Sequence, residues 1–154
     1  MIQNLDNLIS DFIKVAELSG FSIVRKDILH ERQTAPHKPN SLPGNYFAVY
    51  VFSLPEFENQ VLKVGKVGPK SNARYLSQHY NPNSSMSNLA KSLLSSNFFR
   101  ENKIEKPTEG NVGDWIKENT DRENFLFLDK PNTQALVNLF EIFLQSRLKP
   151  RFEG

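Results

Sequence analysis

Apolar residues at the start of the chain recur at intervals of three and four. Leu5, Leu8, Ile9, Phe12, Ile13 and Ala16 form one stripe of an amphipathic helix over residues 4–18, closed by Gly20. The period then breaks. Residues 21–29 suit a short strand, and residues 32–43 (RQTAPHKPNSLP) mix proline with polar side chains and read as a linker. His30 and His37, in or beside that segment, are expected to be exposed. A compact unit is expected from Gly44 onward. There NYFAVYVF alternates with period two, setting Tyr46, Ala48, Tyr50 and Phe52 on one face and Phe47, Val49 and Val51 on the other. After the turn SLPEFEN, VLKVG pairs back as a hairpin, with Val61, Lys63 and Gly65 facing opposite to Leu62 and Val64. GPKS starts a helix with Ser71 as its N-cap, running through NARYLSQHY and placing Arg74 near the helix N-terminus. SMSNLAKSLLSS and VGDWIKENT read as further helices, NFLFL as a third strand, and residues 132–148 as the longest helix. The expected class is α/β of the α+β kind: a small three-stranded antiparallel sheet flanked by helices. Residues 1–43 form an N-terminal helix and linker, and residues 44–154 the main domain.

Length changes little in this picture, because 154 residues suit one core. The absence of cysteine removes disulfides, thiolate zinc sites and cysteine nucleophiles. No apolar run approaches the roughly 20 residues that a spanning helix needs, and residues 1–11 lack the basic start of a secretion signal. A soluble, cytoplasmic protein with no membrane partner is expected. Charge is more informative. The formal net charge is only +2, yet no Asp or Glu lies between Glu58 and Glu101, while Lys63, Lys66, Lys70, Arg74, Lys91 and Arg100 all do. Clustered cations facing a polyanion gain affinity by releasing its counterions. A solvated charged surface would show the same run.

Three side chains suit particular chemistry. Arg74 offers a planar fork of donors that grips phosphate oxygens at any working pH, and no carboxylate lies near it in sequence. Glu141, in LVNLFEIFL, falls on the shoulder of a core stripe, where a half-buried carboxylate needs either a salt bridge or a hard divalent cation. Tyr50 shares a strand face with Tyr46 and Phe52, which also fits an ordinary core aromatic. His79 carries an imidazole that titrates near working pH, or is simply a surface histidine.

The order of these pieces resembles the GIY-YIG nuclease family over residues 44–154. AVY, residues 48–50, corresponds to the family's first triplet and KVG, residues 63–65, to its second, so that Tyr50 and Gly65 are retained literally. GK after the second strand, Arg74 in the next element, LAKSLL, WI with a nearby Arg122, Glu141 in the long helix and the ending LKPRF follow in sequence.

The resemblance implies a metal-dependent endonuclease hydrolysing DNA phosphodiester bonds, with RNA left open as a substrate. Arg74 would hold the scissile phosphate, and Glu141 would ligate Mg²⁺, with Mn²⁺ as a substitute. Tyr50 would orient or deprotonate the attacking water. Lys63 stands where the family has its second tyrosine, either favouring tyrosinate or contacting phosphate. Gly65, Lys66, Lys70 and Tyr80 fall on the substrate side. The family's other base lies four residues after the arginine. His79 comes at five, so on a continuous helix it would point about 100° away. Glu153 stands where the family tends to have asparagine. The alternatives from other classes are a nucleic-acid-binding module of the same fold without cleavage, and a structural domain with incidental basic residues. A homodimer is one way to cut both strands, and two successive nicks are another.

Overall fold

The computed structural model describes Ile2, residues 4–84 and residues 88–152. Glu153 lies outside the described residues. Helix α1 covers Leu5–Leu18 and ends at Gly20, whose φ of 90° lies in the left-handed region that closes helices. Four strands follow in an antiparallel sheet: β1 (Leu29–Gln33), β2 (Tyr46–Leu54), β3 (Gln60–Val67) and β4 (Asp121–Leu128), in the order β1-β4-β2-β3. Between β3 and β4 come α2 (Asn72–Leu76), a 3₁₀ turn at Gln78–Tyr80, α3 (Leu89–Ser95), α4 (Phe98–Glu101) and α5 (Val112–Asn119). Helix α6 (Thr133–Leu148) closes the order. Among the described residues no helix is long and apolar enough to cross a membrane.

The mixed α and β class agrees with the sequence reading, but the sheet has four strands instead of three. The additional strand is β1, which lies partly inside the segment read as a linker and pairs with residues 122–126 of β4. Its sequence LHERQ has no apolar face because its polar side chains have partners across the pairing. His30 bonds Glu123, and Arg32 bonds Asp121. The strand expected over residues 21–29 is replaced by a 3₁₀ turn at Arg25–Asp27. For the same reason β4 starts at Asp121, three residues before NFLFL. The polar run DREN is buried inside the sheet, where hydropathy gives no sign of a strand.

Two cores lie on opposite faces of this sheet. One gathers Phe47, Val49, Val51, Val64, Phe125 and Phe127 under α1 and α6, with Phe12 and Phe140 at its centre. The other gathers Ala48, Tyr50, Phe52, Val67 and Leu126 under α2 to α5, which contribute Tyr75, Leu93, Phe98, Phe99, Val112 and Ile116. β3 is an edge strand, and the chain's tail runs along part of it: the Arg151 and Phe152 N–H groups donate to the Val61 and Leu62 carbonyls at 3.0 and 2.8 Å. This covers backbone groups that an edge strand would otherwise leave unpaired.

Candidate active site around the edge strand

Cross-strand register sets the centre of the site. Tyr50 on β2 stands directly opposite Gly65 on β3, and Phe52 opposite Lys63, so all four share one face. The Tyr50 ring lies across the glycine so closely that a Cβ on residue 65 would come within 2.5 Å of the phenol oxygen. This is the physical link between the two literal matches to the family triplets: the tyrosine can lie flat on β3 only where β3 has no side chain. Tyr50 is fully buried, and Arg74 is the cation that lies against its hydroxyl without forming a well-aligned hydrogen bond. Burial drives its pKa up to about 12, with Arg74 and Arg122 pulling the other way.

Arg74 comes from α2, which spans only five residues. That is too short for a helix dipole to matter, so its capacity for phosphate rests on the guanidinium itself. Ser71 precedes the helix but makes no side-chain cap. Arg74 forms no salt bridge among the described residues, and its Nε is buried without a partner. The helix then stops. Ser77 leaves helical geometry and the 3₁₀ turn rotates His79 inward, which removes the expected 100° misdirection. His79 packs edge-on against Tyr50 with ring centroids 4.7 Å apart. Its Nδ1 accepts from the Leu89 N–H at the start of α3, so the neutral ring carries its proton on Nε2, which is buried and unpartnered. Burial, then Arg122, Lys63 and Arg74, hold its pKa well below the usual value. In this arrangement His79 is a hydrogen-bond donor and has no free nitrogen to act as a base.

Lys63 is buried on the same face. Burial and Arg74 push its ammonium towards neutrality, and Glu141 opposes them. Glu141 reaches the site from α6, on the other side of β3, where its Oε2 accepts from the Lys66 ammonium in an ion pair. Lys70 is exposed in the turn between β3 and α2. Tyr50, Lys63, Gly65, Lys66, Arg74, His79 and Glu141 are thus gathered about one stretch of β3.

Tyr80 is used differently. Its hydroxyl donates to His37 Nε2 at 2.8 Å and accepts from Arg122 Nη1 at 3.2 Å, while His37 Nδ1 donates to the Thr120 carbonyl at 2.7 Å. The hydroxyl therefore serves to hold the turn in place. His37 is buried, contrary to expectation, and burial lowers its pKa despite the Thr120 bond. His30 is likewise not a free surface residue: its side chain is 19 % exposed and bonds buried Glu123 at 2.8 Å. Burial alone would raise the Glu123 carboxyl, but His30 and the Ile2 N–H hold it below the usual range.

Arg122 is central to this side of the sheet. It is fully buried, stacks 4.4 Å from the centre of the Tyr75 ring, donates to Asn124 Oδ1 at 2.9 Å, and forms no salt bridge among the described residues. The sign in the sequence was the polar DREN run leading directly into NFLFL. Gly113 allows α5 to pack against the 3₁₀ turn, since a Cβ there would stand 2.3 Å from the Tyr80 carbonyl oxygen.

Among the described residues no three His, Cys, Asp or Glu side chains gather as a metal site. A single partly exposed carboxylate such as Glu141 still fits a hard cation that keeps most of its water shell. Set against family models, curated proteins and solved structures, the chain matches none of them.

Proposed function

We propose that this protein is a GIY-YIG-type endonuclease that hydrolyses DNA phosphodiester bonds with a divalent cation. One observation carries the reading: Tyr50, Lys63, Arg74 and Glu141, brought by four different elements, converge on the stretch of β3 whose Gly65 seats the tyrosine. Arg74 binds the scissile phosphate and, with Lys63, stabilises the charge that grows on its oxygens. Tyr50 works as a neutral phenol that orients the attacking water, since a group with a pKa near 12 is protonated at neutral pH. Glu141 would hold the cation, which supplies, when bound, an acidified water and charge neutralisation. The cations Lys63, Arg74 and Arg122 around His79 make the site attractive to a polyanion.

A second reading is favoured by a different observation. The Tyr50 hydroxyl and His79 are sealed from solvent, as expected of a binding module that has lost cleavage. Purified protein incubated with supercoiled and linear DNA separates the two. Mg²⁺-dependent nicking that stops with EDTA and falls at least about 100-fold in Arg74→Ala supports the nuclease. Salt-sensitive binding with no product in Mg²⁺ or Mn²⁺ supports the module.

A further inference from the structure

Lys66 and Glu141 face each other from β3 and α6, with 36 % and 15 % of their side chains exposed. A carboxylate this far removed from water needs a positive partner, and the Lys66 ammonium is bonded to its Oε2. We propose that Lys66 is a resident competitor for the metal position: its ammonium neutralises and orients Glu141 until a divalent cation displaces it. This inference rests on the assignment of Glu141 as the metal ligand. A hard cation held by the same carboxylate would compete with the ammonium for that oxygen, and the two positive charges repel. Occupancy by one therefore expels the other. The displaced ammonium sits on a flexible four-carbon stem and becomes available to a phosphate oxygen, so loading of the cation and arming of Lys66 are a single event.

Competition predicts that removing the ammonium tightens metal binding, whereas a role for Lys66 as a metal-site support predicts that it weakens. Mn²⁺ binding without DNA, followed by the paramagnetic resonance signal of free Mn²⁺, reads this directly, with folding checked by circular dichroism. Lys66→Met is expected to bind about tenfold more tightly than wild type, equivalent to about 1.4 kcal/mol. Lys66→Arg, which keeps a cation, should bind no more tightly than wild type, and Glu141→Gln should lose the site. Equal or weaker binding by folded Lys66→Met overturns the proposal, as does Mn²⁺ binding that survives in Glu141→Gln. Since no DNA is present, the nuclease reading fails separately: wild type that shows the predicted Mn²⁺ order but cuts no DNA sinks the nuclease and leaves the competition standing.

Discussion

The two faces of the sheet differ in how they treat polar groups. Under α1 and α6 the core is aromatic and aliphatic, with Phe140 packed 4.5, 5.1 and 5.3 Å from Phe12, Phe125 and Phe127. Its buried charges, such as Glu123, have partners at 2.8 Å. Under α2 to α5 the core encloses Lys63, His79 and Arg122. The buried side-chain polar atoms that lack a well-aligned hydrogen bond among the described residues belong to this side, on Glu31, Gln33, Tyr50, Arg74, Tyr75, His79, Arg122 and Asn124, with Arg74 beside the Tyr50 hydroxyl and Glu31 beside that of Tyr75. An unmet buried donor costs stability, roughly 1–3 kcal/mol in typical cases. A fold keeps several together where binding or chemistry gives something in return. One face holds the molecule together, and the other gathers most of the candidate site's polar groups at a cost, with Lys66 and Glu141 meeting them from the α6 side.

The sharpest way to break this comparison is Phe140→Ala on the apolar face. It should cost about 3–5 kcal/mol in urea unfolding, because the cavity forms at the meeting point of four rings. Gly65→Ala on the polar face should cost about 2 kcal/mol and abolish the proposed cleavage, because the new Cβ collides with the buried Tyr50 ring. Gly68→Ala is its control: the nearest atom there is 3.7 Å away, and unfolding should barely shift.

Acid should come next. His37 and His79 both have pKa values below the usual 6.5, so the unfolded chain binds more protons as pH falls through that value. Stability is then present above about pH 6.5 and lost below it, at up to about 1.4 kcal/mol per pH unit for each histidine. Denaturation midpoints between pH 7.5 and 5.5 should show the fall, and His37→Gln should flatten it.

The smallest effect should come from the Tyr50 hydroxyl. Tyr50→Phe removes a buried hydroxyl that has Arg74 beside it but no well-aligned hydrogen bond, so stability should change by less than about 1 kcal/mol. The proposed DNA cleavage should drop in the same variant. A large loss of stability would mean that the polar face is not the one carrying an unmet cost.

Much of the fold was legible because its elements bury apolar stripes. α1, the β2-β3 hairpin and α6 all lie where periodicity places them. What escaped was the strand pairing whose side chains satisfy one another. β1 and the first half of β4 look like loop because His30, Arg32, Asp121 and Glu123 are polar, and only their pairing makes them fit to bury. The site shows the same division. Arg74 and Glu141 stood out through residue type and place. Arg122 and the inward turn of His79 did not, because nothing local marks a guanidinium for burial or a helix for an early end.

The sequence by itself determined which segments must hide apolar surface, where the basic run lies, and that Tyr50 and Gly65 occupy successive strands. Only the tertiary structure decided that these two are cross-strand partners and that residues 29–33 belong to the sheet. It also decided that Glu141 is bonded to Lys66 and that His79 has no nitrogen free to take a proton. The physical reason is range. Periodicity records what each segment does with its own hydrophobic face, whereas register, ion pairing and desolvation are set by neighbours many residues away.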